Sequence, residues 1–151
     1  MNRKHRGISV LEILMAVAII GILVAISVSV FSSLSNSQSL ERDAQNVHSQ
    51  IEKARTMAIN SVDGVEHGVK FTSSKVEVFS GTAYIASPSN VEAYYDIPTK
   101  STITGGIGSL YFAKLTGNSS AGSSWTVTVS PASGGASKTI IIYGTGISEI
   151  Q

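Results

Sequence analysis

Residues 8–31 form an apolar run with a single charge in it, Glu12, and from residue 13 to residue 40 no charged side chain occurs. At 1.5 Å per residue, a helix over 8–31 is about 36 Å long, enough to cross a hydrocarbon core of about 30 Å. A short basic leader, Arg3, Lys4 and Arg6, runs into Gly7 just ahead of the run. Basic residues on that flank predict a cytoplasmic N-terminus and a single-pass transmembrane helix.

Glu12 is the residue that such a span does not need. A carboxylate at the centre of a membrane helix costs about 2.5–3.5 kcal/mol on insertion scales and less near the interface, so it points to a function and to a partner. An amino terminus is the nearest candidate. A cut after Gly7 gives Ile8 a new ammonium group four residues ahead of Glu12. In a packed bundle, Glu12 of one subunit can neutralise that amine on its neighbour.

The leader, then Gly7, then Ile8-Ser9-Val10-Leu11-Glu12 and an unbroken apolar stretch resemble the class III signal of type IV pilins and pseudopilins. That resemblance implies cleavage by a prepilin peptidase between Gly7 and Ile8, N-methylation of Ile8, and subunit docking through Glu12. It also implies an inner-membrane precursor and a periplasmic or extracellular filament. The chain departs from the family's usual pattern in having Ile8 where phenylalanine is common. Ser29 stands where many members have a late proline, and Gly21 is the one weak helix former in the span, about 1 kcal/mol poorer than alanine. An ordinary secretory signal with a cut near Ala25-Ile26-Ser27, or a plain anchor, accounts for the apolar length but not for Glu12.

Of the 11 basic side chains, 8 remain once Arg3, Lys4 and Arg6 are removed, against 10 acidic ones. A mature chain near −2 lacks the basic face of a nucleic-acid binder, so no nucleic-acid partner is expected. There is no cysteine, hence no disulfide and no thiolate nucleophile or ligand.

Beyond the span, Leu40, Ala44, Val47, Ile51, Ala54 and Ala58 recur at steps of four and three and make one helical stripe. Charged and polar residues, Asp43 and His48 among them, occupy the other faces, and Glu52 can pair with Arg55 at i, i+3. The spacing predicts one helix over 8–61, weakened at 32–39, with its second half laid on the chain's own strands. From residue 65 the period becomes two. Residues 69–71 and 75–79 predict a β-hairpin across Thr72-Ser73-Ser74. Residues 84–85 and 91–95 are weaker strands around the Ser87-Pro88-Ser89-Asn90 turn. Pro98 and the glycines at 105, 106 and 108 mark turns. Residues 109–114 form a strand with Leu110 and Phe112 on one face, and 117–124 an exposed, mobile loop. Strands at 125–130 and 139–143 flank a Gly/Ser-rich connection, and 146–150 adds a short last strand.

The fold class expected is α+β, a long N-terminal helix packed on an antiparallel β-sheet. Its parts are a cleaved leader (1–7), a transmembrane and filament-core helix (8–31), an amphipathic continuation (32–61) and a globular β domain (62–151). The C-terminal order of strands and glycine loops, with the helix end Ala54-Arg55-Thr56-Met57-Ala58-Ile59, is similar to the H-type minor pseudopilins of type II secretion and related minor pilins (GspH/FimT-type). The acidic calcium loop of the major pseudopilin has no counterpart, nor does the basic C-terminus of DNA-binding minor pilins.

No catalytic constellation is legible. His48 and Glu52 have i, i+4 spacing, but a zinc site needs three or four ligands. His5 lies in the leader and His67 before the first hairpin. The glycine clusters do not open helices and so do not read as phosphate loops. Trp125, Tyr94, Tyr95 and Tyr111 read as packing residues more than as a binding face. Neither enzyme activity nor a cofactor or metal is expected. The function read from the sequence is a structural subunit, a minor pseudopilin or pilin, of a type IV pilus-like or type II secretion filament. The alternatives are a DNA-binding or adhesive minor pilin, or an anchored or secreted β domain unrelated to filaments. Expected partners are the prepilin peptidase/N-methyltransferase, other subunits through the N-terminal helix, and the inner membrane.

Overall fold

A computed structural model describes residues 9–86 and 89–151, with the backbone alone for residues 27–33 of the first helix. The helix α1 spans Val10–Ile59 and continues through 32–39, where the serines weaken it but neither proline nor glycine breaks it. It closes with Asn60 N–H donating to the Thr56 carbonyl (2.9 Å) and Ser61 N–H to that of Ala58 (3.0 Å). Asn60 and Ser61 carry side chains that compete for backbone groups, which favours a stop there. Ser61 turns left-handed at φ 51° and a 3-10 turn, Val62–Gly64, follows.

Among the described residues eight strands come next: β1 (His67–Phe71), β2 (Lys75–Ser80), β3 (Val91–Asp96), β4 (Ser101–Gly105), β5 (Gly108–Phe112), β6 (Ser124–Pro131), β7 (Lys138–Tyr143) and β8 (Ser148–Ile150). They form two four-stranded sheets, ordered β3-β2-β1-β5 and β4-β6-β7-β8, with every pairing antiparallel. The expected hairpin is β1–β2, in the register Val69↔Val78 and Phe71↔Val76. Where one sheet was expected there are two. They meet at the β1–β2 turn, where the Ser73 carbonyl accepts Ile103 N–H (3.0 Å) and the Thr102 hydroxyl (2.9 Å).

The chain divides into two compact units, one up to Ser35 and one of Asn36–Gln151. In the second, all six residues of the helical stripe are buried. Leu40, Val47, Ile51, Ala54 and Ala58 share one core with Val69, Phe71, Val76, Val78, Leu110 and Phe112 of the first sheet, and with Ile103, Val127, Val129, Ile140 and Ile142 of the second. Period-two burial on the strands meets period-four-and-three burial on the helix, so each element hides its one apolar face.

In the first unit the described side chains of α1 are exposed all round, including Leu11 at 67% and Ile22 at 62%. Among the described residues, no helix is long and apolar enough to cross a membrane. The described side chains stop at Ile26 and resume at Leu34.

Several expectations need correction. The segment Ser101–Gly105, passed over between turn signals, is the edge strand β4. Its short Ser/Thr-rich sequence lacks the alternation that marks a strand, and pairing with β6 supplies the order instead. Residues 84–85 form no strand: Tyr84 sets its ring edge-on against Phe79 at 5.9 Å, and only an isolated bridge, Ala86↔Ser89, follows. Ser87 and Pro88 of the expected turn lie outside the described residues.

The 117–124 loop is not a free loop. Ser119 N–H donates to the Gly144 carbonyl (2.9 Å) and Ser120 N–H to that of Tyr111 (2.8 Å). Gly117, at φ +69°, lies so close to the end of α1 that a Cβ there would meet Ile59 Cγ1 at 2.7 Å.

Asp43, expected on a polar face, is 2% exposed. It accepts the Ser101 hydroxyl (2.6 Å) and the Tyr95 hydroxyl (2.9 Å), while Asn46 Nδ2 donates to Tyr95 at 3.1 Å. Burial pushes the Tyr95 phenol above its ordinary pKa; the Asn46 hydrogen bond pulls it down and Asp43 raises it again.

Candidate functional site

Glu12 lies in the first turn of α1. Its own N–H donates to the Ser9 carbonyl at 3.0 Å, and Ile13 N–H reaches the same oxygen at 3.3 Å, so Ser9 is where the helical bonding begins. A negative side chain is favoured there, because the first N–H groups of a helix are unpaired and carry partial positive charge. The side chain of Glu12 is exposed, as are those of Val10, Leu11, Ile13 and Leu14 around it. This is one carboxylate on an apolar cylinder that the single chain leaves uncovered. Arg3, Lys4, Arg6, Gly7 and Ile8 lie outside the described residues.

The remaining sequence candidates sit in the second unit. His48 is half-buried, not solvent-facing, with Nε2 3.2 Å from the Ser148 carbonyl. Glu52 accepts the Ser148 hydroxyl at 2.6 Å and stands 3.8 Å from Arg55. The i, i+4 pair therefore grips the last strand from α1. The aromatic residues do not form one face. Trp125 donates to the Gly106 carbonyl at 3.1 Å and, like Tyr95, packs against the core. Tyr94 is 64% exposed on an edge strand with the Lys75 ammonium 5.7 Å from its ring centre.

One cluster escaped the sequence reading. Asp63 of the 3-10 turn, His67 at the start of β1 and Glu92 of β3 place one potential ligand atom each within 4.8 Å of one another. His67 shares the core-facing side of β1 with Val69 and Phe71, and its side chain is completely buried. Among the described residues, neither of its ring nitrogens has a hydrogen-bond partner. Nε2 is 3.3 Å from Glu92 Oε1, an ion-pair distance without the geometry of a hydrogen bond. An unsatisfied buried polar group costs about 1–3 kcal/mol, so the arrangement asks for a further partner.

Glu92 reaches His67 because the β2–β3 register slips. Val78 pairs with Ala93 but Phe79 pairs with Val91, which leaves Glu92 as the extra residue of a β-bulge. Strict alternation from Ala93 would send Glu92 to the opposite face; a bulge re-aims it. The three residues span 30 positions of sequence with no motif spacing, so no local signal could have joined them.

The chain matches the family model of the prokaryotic N-terminal methylation motif over residues 2–28. It thus carries the type IV pilin and pseudopilin signal, which marks a membrane-anchored precursor processed by a prepilin peptidase. No curated protein and no solved structure matches it. The helix followed by antiparallel sheets is an α+β, pilin-like architecture, and the motif is that of a structural class of proteins, not an enzymatic one.

Proposed function

We propose that this chain is a structural subunit, a minor pseudopilin or pilin, of a type IV pilus-like or type II secretion filament. In this reading prepilin peptidase cuts between Gly7 and Ile8, Ile8 is N-methylated, and residues 8–31 hold the precursor in the inner membrane before forming the filament core. The observation that carries it is the methylation motif over 2–28 leading into α1, whose first turn holds Glu12 amid exposed Val10, Leu11, Ile13 and Leu14.

The magnitudes favour burial of this run. Full burial of a Val, Leu, Ile or Met side chain contributes about 1.5–3 kcal/mol. A dozen of them between Val10 and Ile26 are more than half exposed, so a lipid or protein environment for this run far outweighs the cost of one carboxylate. That cost is itself offset when Glu12 meets the Ile8 amine of a neighbouring subunit. An unpaired buried charge costs about 3–5 kcal/mol, which lets the pair set the axial register of each added subunit.

N-terminal sequencing and mass spectrometry of the mature protein test this reading. The expected start is a methylated Ile8; a start near Val28 would mean ordinary secretion and end the proposal. Glu12→Ala and Glu12→Val are expected to leave cleavage intact and to impair incorporation into filaments. Normal assembly of both variants would rule out the register role.

A further inference from the structure

We infer that Asp63, His67 and Glu92 form a binding site for a first-row divalent cation of the zinc class, which pins the end of α1 to the edge strand β3. The site stands apart from the N-terminal signal and does not depend on the filament reading.

The donor set is one imidazole and two carboxylates, on three separate elements that converge on one point. In a tetrahedral site with bonds of about 2.0–2.1 Å, adjacent ligand atoms lie about 3.3 Å apart. The His67 Nε2 to Glu92 Oε1 distance is 3.3 Å. Asp63 is the outlying member, within 4.8 Å, and its exposed side chain can close the remaining gap by rotation. A fourth position is left for water, as in zinc sites with three protein ligands.

A plain His67–Glu92 ion pair is the simpler reading, and two observations disfavour it. The pair lacks hydrogen-bond geometry although the ring is fully buried, and among the described residues neither ring nitrogen has a hydrogen-bond partner. Nor does an ion pair involve Asp63, which sits in the left-handed region (φ 50°) of the turn that follows α1. Imidazole selects against calcium and magnesium, which take oxygen ligands, and suits zinc and its first-row neighbours. The chain has no cysteine and so no disulfide across this corner. A cation would tie the turn after α1, the central strand β1 and the edge strand β3 at one point.

The test uses the full untagged chain in detergent micelles, stripped with EDTA and titrated calorimetrically with zinc chloride. Thermal unfolding runs in parallel. One zinc per chain is expected, with a melting midpoint that rises with zinc concentration. Calcium chloride at the same concentrations should do neither.

Asp63→Asn and Glu92→Gln are each expected to weaken zinc binding by at least ~10-fold, since even outer-shell changes cost that much. His48→Gln and His5→Gln should leave it unchanged. His67→Gln should abolish binding; if that buried substitution does not fold, the two carboxylate variants still decide the matter. No zinc binding by the parent chain, affinity unaltered in Asp63→Asn, loss of binding in His48→Gln, or a preference for calcium would each overturn the assignment.

Discussion

Asp43 is 2% exposed on α1 and holds the hydroxyls of Ser101 (2.6 Å) and Tyr95 (2.9 Å), reaching β4 of one sheet and β3 of the other. Asp43→Ala removes the acceptor of both. Hydrogen bonds to a charged group contribute about 1.5–3 kcal/mol each, and a buried hydroxyl left without a partner costs about 1–3 kcal/mol. Against this, the variant no longer buries a carboxylate, and Tyr95 keeps its bond from Asn46. The expected net loss is about 2–4 kcal/mol. At roughly 4 °C per kcal/mol for a domain of this size, the melting midpoint should fall by about 8–16 °C.

Trp125, the single tryptophan, donates to the Gly106 carbonyl and packs against the core, so its fluorescence should report the transition in the full chain. Ser101→Ala should cost less, about 1–2 kcal/mol, and the two substitutions should couple in a double-mutant cycle by at least ~0.5 kcal/mol. A loss below ~0.5 kcal/mol for Asp43→Ala, or strict additivity with Ser101→Ala, would refute the clamp.

Other expectations can be checked separately. Tyr95 has a folded-state pKa raised above its ordinary 10.0, so its contribution is complete below about pH 10 and is lost as pH rises through the folded value. Tyr95→Phe should flatten the alkaline fall in stability measured by denaturant melts. Glu41 is held below its ordinary 4.5, first by the hydrogen bond from Lys138 and then by that ammonium's charge. An NMR titration of Lys138→Ala should find Glu41 back near its ordinary value, and no change would mean that the 2.9 Å contact does not persist in solution. Gly117→Ala should destabilise by about 1–3 kcal/mol, through its left-handed backbone and the approach of Ile59. A neutral outcome in a urea melt would show that the loop can move off α1.

Periodicity alone determined the long helix, its buried stripe and the strands with strong alternation. A stripe such as Leu40, Ala44, Val47 and Ile51 follows from geometry inside one element, as does the inward face of Leu110 and Phe112. The basic leader, Gly7, Glu12 and the apolar run are equally local, since they follow one another within the first 31 residues. Tertiary structure decided what depends on partners distant in sequence. The division into two sheets, the pairing of β4 with β6, the burial of Asp43 and the anchoring of the 117–124 loop all arise from hydrogen bonds between remote segments. So does the meeting of Asp63, His67 and Glu92, where one bulged residue changes the face to which a carboxylate belongs. A single-residue slip in register leaves no trace in periodicity until the neighbouring strand is in place.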